Sequence, residues 1–278
     1  MSGSSAPRTV RTPYRRVSKN RRILRASVIS TRWVSPTIRA VTIGGPDLAH
    51  LTYFGDDQAF RLFFQRTAQR ALRLPPVEAR GWMVPYMRMT TADRPHVRFY
   101  TIRSFRQDAL ELDIEFVVHG SDAPGSGWAL RARPGDEVGI FDEGAMYAPP
   151  QPGAGWQLLV GDESALPAIH AILEQHADLE SHVVVEVPAP DDVRAVDLPT
   201  GSSVRWLPRR NPQTLPGDLA LHALEAWDLP SAAPAATYVA GESRLVTAAR
   251  RYLVRQRGVP KTAVKFVGYW RSGHASRD

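Results

Sequence analysis

The 278-residue sequence contains no cysteine. Disulfides, a thiolate nucleophile, a cysteine-ligated zinc ion and a cysteine-ligated iron–sulfur cluster are therefore excluded. No apolar run is long enough to predict a transmembrane helix, and the basic N-terminus lacks the apolar core of a secretory signal. These absences fit a reducing compartment, and we expect a cytoplasmic protein without membrane insertion.

Acidic residues are absent from the first 25 positions, which hold eight basic residues. These eight positive charges exceed the net charge of the whole chain, +7, by one. Residues 26–278 therefore have a formal net charge of −1. We expect residues 1–20 to form a disordered basic tail. The alternative is attraction to nucleic acid or acidic lipid, but the near-neutral body argues against a specific nucleic-acid-binding protein.

Two halves with different patterns flank a Pro- and Gly-rich stretch at 148–155, which we take as the domain boundary. Residues 21–150 carry short alternating runs separated by turns, which predicts an antiparallel β-barrel. In residues 151–278, apolar runs alternate with helical patterns, which predicts an α/β domain with a parallel sheet. Parallel sheets bind ligands at the carboxyl ends of their strands, where the turns at Gly161 and Gly241 are expected. The predicted strands are 23–30, 36–43, 57–65, 98–103, 110–119 and 137–141 in the first half and 156–160, 182–187, 203–207, 237–240 and 264–270 in the second.

The strand RFYTIR at 98–103 combines groups that suit a flat, phosphate-bearing ligand. Arg98 offers a fork of donors for a phosphate, and Tyr100 offers a ring that can lie along a heteroaromatic system. Thr101 adds a small donor and acceptor beside that ring. The alternative is a half-buried strand whose arginines are solvated.

Small residues crowd the stretch GSDAPGSGWA at 120–129, which interrupts the strand pattern. A loop of small residues that leads into a helix lets backbone N–H groups approach a diphosphate closely. An ordinary surface loop is the alternative interpretation.

Together these segments resemble the siderophore-interacting proteins, flavin-dependent ferric-siderophore reductases of the ferredoxin reductase-like superfamily. The resemblance spans residues 23–274 and depends on the order of its segments. GDESALPAI at 161–169 is the most diagnostic of them. The other matching segments are SPTIRAVTIGGPDL at 35–48, DQAFRLFF at 57–64, RFYTIR, residues 116–129, AGES at 240–243 and GYWRSG at 268–273.

The resemblance implies FAD as cofactor, NADPH or NADH as co-substrate, and site residues carried over motif by motif. Arg98, Tyr100 and Thr101 would hold the phosphate, ring and ring edge of FAD. The diphosphate would lie against Gly125, Ser126, Trp128 and Ala129. The nicotinamide nucleotide would lie at Gly161, Asp162, Glu163, Ser164, Ala165 and Pro167, with Gly241 and Glu242 facing them. His119 and Trp270 are further candidates for cofactor binding. His119 could instead be a structural histidine at a strand end, and Trp270 could be a core tryptophan instead of one that covers the flavin.

The implied substrate is a ferric siderophore, which is often anionic and would favour a basic pocket. Arg61, Arg103 and Arg271 are the candidates because each lies in a flavin-side motif, and solvated surface arginine is the alternative for each. A 2′-phosphate of NADPH could be bound by one arginine of a further set: Arg209, Arg210, Arg244, Arg250, Arg251 or Arg255. We expect a monomer, with a ferredoxin as a possible electron partner. A flavin or ferredoxin-linked reductase with another acceptor is the alternative function.

Overall fold

The computed structural model describes residues 15–76, 81–151, 153–211, 213–230 and 232–273. They form a seven-stranded antiparallel sheet in the N-terminal half and a five-stranded parallel sheet in the C-terminal half. Within these residues no helix has the length and apolar character needed to cross a membrane. The first half contains β1 (Ile23–Ser35), β2 (Ile38–Gly44), β3 (Ala59–Phe64), α1 (Met83–Arg88), β4 (His96–Thr101), β5 (Ser104–Arg106), β6 (Glu111–Val117), α2 (Pro124–Arg131) and β7 (Glu137–Gly144).

The N-terminal sheet closes on itself, which confirms the predicted barrel. Its strand order is β4-β3-β7-β1-β2-β6-β5, so β4 and β5 lie at opposite edges. Only Ile102 and Arg103 separate these two strands along the chain, and the Arg103 amide donates to the Asp113 carbonyl of β6 at 2.9 Å. Alternate side chains such as Phe60, Leu62 and Phe64 of β3 fill the apolar interior.

The C-terminal half is the predicted α/β domain. It contains β8 (Gln157–Gly161), α3 (Leu166–Gln175), β9 (Ser181–Val187), β10 (Ser203–Pro208), α4 (Asp218–Glu225), β11 (Ala236–Glu242), α5 (Ser243–Arg255) and β12 (Val264–Trp270). The strand order is β10-β9-β8-β11-β12, so the connections leave β8 and β11 in opposite directions. Such a switch point opens a crevice at the carboxyl ends of the two strands.

The two domains share one apolar cluster and several polar contacts. Ile38 of the barrel and Tyr147 of the connection pack with residues of the parallel sheet and α3, including Leu159 and Ile169. Asp192 of the second domain accepts hydrogen bonds from the Ser35 and Thr37 hydroxyls of the first, at 2.6 and 2.8 Å. These contacts fix the crevice of the parallel sheet against the barrel.

The end of the predicted tail lies against the barrel. The Arg16 backbone exchanges two hydrogen bonds of 2.9 Å with Ala145, and its guanidinium pairs with the buried Asp56. Arg15 donates to the Glu143 carboxylate at 3.0 Å. These contacts hold Arg15 and Arg16 on the barrel, and the expected boundary at residue 20 stays a prediction. Residues 1–14 lie outside the described residues.

Candidate functional site

A cavity of about 270 Å³, here called the interdomain cavity, opens where the two domains meet. Its barrel wall is formed by β4 and the end of β6, and its other wall by the turn after β8 and the end of β12. The lining residues are Phe99, Tyr100, Thr101, Glu115, Val117 and His119 from the barrel, and Glu163, Ser164, Pro167, Tyr269 and Trp270 from the α/β domain. Seven residues predicted from the sequence are therefore brought to one cavity: Tyr100, Thr101, His119, Glu163, Ser164, Pro167 and Trp270.

Tyr100 links the cavity to the N-terminus of α2. Its ring packs on Phe116 with a centroid distance of 4.4 Å. A Cβ added to Gly125 would lie only 2.2 Å from the Tyr100 hydroxyl, so the glycine makes this approach possible. Burial raises the pKa of the Tyr100 phenol, and the neighbouring Arg98 guanidinium opposes that rise. A neutral aromatic ring thus forms the barrel wall, with a cation beside it.

The predicted diphosphate loop contains two backbone amides that have no intrahelical partner, and its side chains belong to the core. The first intrahelical hydrogen bond of α2 runs from the Gly127 amide to the Ala123 carbonyl, so the amides of Gly125 and Ser126 lie before it. The Ser126 hydroxyl is already donated to the Val117 carbonyl at 3.0 Å. Only backbone amides of this segment are therefore placed to meet an anion.

Trp128 and Ala129 were predicted to line the diphosphate, and this role stays a prediction; the structure shows where their side chains lie. Both side chains are buried in the barrel core, where Trp128 packs against Phe64 and Phe116 at centroid distances of 5.3 and 5.5 Å. These residues hold α2 on the barrel because their side chains are on the inward face of the helix. Any contact that they make with a diphosphate would therefore involve their backbone.

Asp162 organises the α/β wall rather than lining the cavity. Its buried carboxylate accepts hydrogen bonds from the Ser164 amide and hydroxyl at 2.9 and 2.5 Å. The other oxygen accepts from the Glu242 amide at 2.7 Å and from the Trp270 indole at 3.1 Å. A Cβ on Gly241 would lie 2.6 Å from this carboxylate. Asp162 therefore ties the turns after β8, β11 and β12 together.

Gly161, Ala165 and Glu242 also act behind the cavity. A Cβ on Gly161 would lie 2.5 Å from the Ala165 side chain and 2.9 Å from the Ala240 carbonyl, so close packing requires glycine here. The Glu242 carboxylate caps α5 by accepting from the amides of Arg244 and Leu245. These predicted nucleotide residues shape the turns that present Ser164 and Pro167 to the cavity.

Glu163 belongs to a buried chain of charges. Both guanidinium nitrogens of Arg209 donate to its carboxylate, at 2.6 and 2.9 Å, and Arg209 also donates to Glu186 at 2.7 Å. Glu186 in turn accepts from the Leu219 amide at the start of α4. Burial would raise the pKa of Glu163, but hydrogen bonds from His119 and Arg209 hold it below its usual value. His119 reaches Glu163 across the domain boundary at 3.2 Å.

A second polar chain leads from the barrel through the α/β domain to Thr101. Asp57 accepts from the amides of Met146 and Tyr147, both at 2.8 Å, and is hydrogen-bonded to Tyr238. The Tyr238 hydroxyl lies 2.6 Å from that of Tyr269, which is hydrogen-bonded to Thr101. Burial raises the pKa of Asp57 to about 6. These hydroxyls hold Thr101 and Tyr269 in place at the cavity wall.

The three arginines predicted to bind substrate do not converge. Arg61 stacks on Phe99, which lines the interdomain cavity, at 5.0 Å from the ring centroid. Arg103 is bound to Glu174 of α3 by two hydrogen bonds of 2.7 and 2.5 Å, and its Nε lies 3.5 Å from Glu115, which lines the same cavity. Arg271 lies at a different cavity, between α4 and α5. Within the described residues, Arg61 and Arg103 therefore adjoin the interdomain cavity and Arg271 lines another one, and the substrate role of all three stays a prediction.

Sequence reasoning missed four lining residues: Phe99, Glu115, Val117 and Tyr269. Phe99 and Tyr269 are direct neighbours of predicted residues, and their rings lie 6.4 Å apart across the domain boundary. Glu115 pairs with Arg194 of the other domain at 2.9 Å. That pairing carries no local sequence signal because 79 positions separate the two residues.

Profiles of known protein families match both halves of the chain. Residues 27–146 match the profile of the siderophore-interacting FAD-binding domain, and residues 154–273 match that of the siderophore-interacting protein. The chain is 32% identical over 247 residues to the ferric vibriobactin reductase of Vibrio cholerae, covering 88% of each protein. It is 31% identical over 166 residues to the NADPH-dependent ferric-chelate reductase of Escherichia coli, covering 60% of this chain and 61% of that one.

Solved structures agree with this assignment. A siderophore utilization protein from T. fusca is 31% identical and superposes with a TM-score of 0.79, covering 93% of this chain and 96% of the other. A ferredoxin NADP+ reductase from Neisseria gonorrhoeae superposes with a TM-score of 0.60 at 16% identity, covering 89% of this chain and 99% of the other. The second likeness concerns the fold alone, and it is the predicted ferredoxin reductase-like fold.

Proposed function

The chain belongs to the siderophore-interacting protein family, and from this premise we propose that it is an FAD-dependent, NAD(P)H-linked reductase of ferric siderophores. It carries the FAD-binding domain of that family. The observation that supports the finer proposal is the interdomain cavity, where the aromatic strand β4 meets the turn after β8. The names of the Vibrio cholerae and Escherichia coli relatives support a ferric chelate as acceptor and NADPH as donor.

The residues present fit a flavin. Tyr100 offers a neutral ring, Gly125 leaves room for that ring beside α2, and Trp270 forms part of the opposite wall. The amides of Gly125 and Ser126 at the start of α2, together with the Arg98 guanidinium, would hold the phosphates. Bound FAD would supply the conversion between a two-electron hydride donor and a one-electron metal acceptor.

The chain's own residues then orient and enclose the reactants. Ser164 and Pro167 would hold the nicotinamide end at the cavity, because the buried Asp162 fixes the turn that presents them. Tyr269 and Trp270 line the same cavity and would help to exclude water from the bound reactants. No side chain is required to donate or remove a proton during hydride transfer. The role of the protein is therefore to position the reactants relative to each other.

The substrate would approach the barrel edge of the cavity. Arg61 lies there on Phe99, and its Nε is 3.1 Å from Glu143. A partly exposed guanidinium at this position would attract an anionic ferric chelate. Siderophore oxygens bind Fe(III) more tightly than the softer, less charged Fe(II), so reduction would release the metal. Release inside the cytoplasm is part of this proposal.

A flavin titration followed by an anaerobic assay tests the proposal. The purified full-length protein is expected to bind FAD, and NADPH or NADH should bleach the flavin absorbance. Adding a ferric siderophore should restore the absorbance and yield Fe(II), detected by a ferrous-specific chromogenic chelator. Protein that binds no flavin, or reduced flavin that ferric chelates do not reoxidise, would contradict it.

A matched pair of tryptophan variants tests whether the flavin binds in the interdomain cavity. Trp270→Phe should raise the fluorescence of bound FAD, since aromatic contact at the cavity wall would be altered. Trp33→Phe changes a tryptophan that is 50% exposed on the outside of the barrel and should leave the fluorescence unchanged. Equal fluorescence of the two variants would place FAD elsewhere.

A further inference from the structure

The short helix α1 of the barrel domain is apolar on both of its faces. Trp82, just before the helix, and Tyr86 within it pack on Phe63 of β3, with ring centroids 5.1 and 6.4 Å apart. The opposite face is formed by three exposed apolar side chains: Met83, Val84 and Met87. They are 58, 41 and 59% exposed, respectively. A helix that is apolar all round is normally buried, so the outer face of α1 has the character of an interaction surface.

The chain around α1 is strongly basic. Residues 66–95, in the connection from β3 to β4, contain six arginines and two acidic residues, a net charge of +4. Because residues 26–278 have a net charge of −1, the rest of that range carries −5. The positive charge of the folded body is therefore concentrated in this one connection.

The fold brings the basic N-terminal segment to the same side of the barrel. The Arg21 guanidinium lies over the Phe141 ring at 4.9 Å, and Trp82 packs against that ring at a centroid distance of 6.3 Å. Arg22 and Arg25 line a cavity of about 360 Å³ together with residues 74–76 of the β3–β4 connection. Two basic stretches that are separated by β1, β2 and β3 along the chain therefore form one surface. It is here called the basic apolar surface and comprises residues 21–25, 70–76 and 83–88.

Few carboxylates compensate this charge. Glu143 lies 3.4 Å from Arg21, and Asp93 lies 3.3 Å from Arg73. Three exposed arginines of the surface have no carboxylate partner among the described residues: Arg22, Arg70 and Arg88. The surface therefore combines an apolar centre with a positively charged rim.

An anionic lipid bilayer matches both properties. Apolar side chains of an interfacial helix enter the boundary between headgroups and acyl chains, while arginines beside them remain among the anionic headgroups. A nucleic acid would pair with the arginines, but it would leave the three non-aromatic side chains of α1 in water. Residues 1–14 do not suit the surface either, because their charged side chains, Arg8 and Arg11, have the same sign.

We propose that the basic apolar surface binds an anionic lipid bilayer, with Met83, Val84 and Met87 inserted between the headgroups. The binding is peripheral, since α1 is only six residues long. Val97 of β4 belongs to the apolar cluster beneath α1, and Phe99, two residues further on the same face of that strand, lines the interdomain cavity. The interdomain cavity would therefore adjoin the bilayer. This proposal does not depend on the proposed function.

Flotation of the full-length protein with lipid vesicles tests the proposal. Vesicles of phosphatidylcholine with about 30% phosphatidylglycerol should bind the protein at least about tenfold more tightly than vesicles of phosphatidylcholine alone, because only the former attract the arginines. A salt concentration of about 0.5 M should reverse most of this preference through screening. A DNA duplex measured in the same buffer should bind more weakly than the anionic vesicles.

Two pairs of substitutions separate the apolar centre from the charged rim. Met83→Ser with Met87→Ser should weaken binding to anionic vesicles by at least about tenfold, since apolar area is no longer removed from water. Arg70→Gln with Arg88→Gln should weaken it by about tenfold or more, since each arginine contributes near an anionic surface. All four side chains are exposed, and circular dichroism melts of both variants should match wild type.

Matched controls lie outside the surface. Ile29→Ser removes an apolar side chain of β1 that is 45% exposed. Arg32→Gln with Lys261→Gln removes two exposed positive charges elsewhere. Both controls should bind anionic vesicles like wild type.

Four outcomes would overturn the proposal. They are equal binding to neutral and anionic vesicles, unchanged binding in either pair of surface variants, an equal loss in the controls, and tighter binding to the DNA duplex than to the vesicles. The last result would assign the charge to nucleic acid. Flavin uptake and its reduction in vesicle-free solution would be unaffected in each case, so this failure would not be confused with failure of the proposed function.

Discussion

The two walls of the interdomain cavity are built on different physical principles. On the barrel side, Tyr100 and Phe99 present rings, with few strong polar bonds of their own. On the α/β side, Asp162 and Glu163 are buried and bonded to protein donors. The comparison teaches that Asp162 of the diagnostic turn shapes the backbone, whereas Glu163 lines the cavity with its charge balanced by Arg209.

The largest expected effect comes from breaking the charge chain of the α/β wall. Arg209→Ala removes the partner of two buried carboxylates, Glu163 and Glu186, and should lower the free energy of unfolding by about 3–5 kcal/mol. Urea denaturation followed by circular dichroism measures this. Arg210→Ala, at the exposed neighbouring position, should change stability by less than about 0.5 kcal/mol. Similar midpoints for both variants would mean that the chain of charges is not structural.

Asp57, on the barrel side, contrasts with Glu163 because it is buried without a cationic partner among the described residues. We therefore expect it to make the stability of the fold depend on pH. Its folded pKa of about 6 exceeds the unfolded value of about 3.9. Protonated Asp57 therefore stabilises the folded state. This contribution to the free energy of unfolding is fully present below a pH of about 4 and is lost as the pH rises through about 6. The total loss is about 2–3 kcal/mol.

Asp57→Asn should remove that pH dependence, since the amide oxygen can still accept from Met146 and Tyr147 and remains neutral. The stability of the variant relative to wild type should therefore increase between pH 4 and pH 7 in urea titrations. Asp178→Asn, at an exposed position, serves as control and should show no such trend. A relative stability that falls over this range would contradict the assignment.

Arg98 tests the barrel wall directly. Arg98→Ala should weaken FAD binding by about 1.5–3 kcal/mol, or about ten- to a hundredfold, through loss of a charge-assisted hydrogen bond to phosphate. Fluorescence titration of apoprotein with FAD measures this. Arg70→Ala changes an exposed arginine of the same domain and should bind FAD normally. Equal affinities would show that Arg98 is not the phosphate anchor.

The smallest expected effect sharpens the geometry of the same wall. Gly125→Ala places a methyl group where the Tyr100 hydroxyl lies and should weaken FAD binding by about tenfold, or about 1.4 kcal/mol. Adding Tyr100→Phe removes the clashing hydroxyl, since the nearest remaining ring atom is 3.5 Å from the methyl position. The double variant should bind FAD more tightly than Gly125→Ala alone. No recovery in the double variant would refute the steric explanation.

Much of the fold could be predicted because its signals are local. Alternation in β6 and the change of pattern after residue 155 predicted a barrel and a parallel sheet, and both are present. The three-residue strand β5 was missed because it is too short to show a period. The strand β4 and the turn after β8 were identified by sequence motif, and the structure brings them to one cavity.

What the sequence could not predict depends on partners distant along the chain. Arg103 was expected to be available for substrate, but Glu174 lies 71 positions away and binds it. Trp128 follows a glycine-rich loop, and nothing local indicates that its side chain is directed into the barrel core. Arg15 and Arg16 look like part of a solvated tail until their contacts with Glu143 and Asp56 are known.

The apolar cluster shared by Ile38, Tyr147 and the parallel sheet has a consequence for engineering. The two halves are distinct domains, but cutting the chain near residue 150 would expose complementary apolar surfaces on both fragments. Each fragment would then be prone to aggregate. A chimera that exchanges one half with a relative must therefore keep matching apolar residues on both sides of this cluster, or the proposed flavin and nucleotide sites will be misaligned.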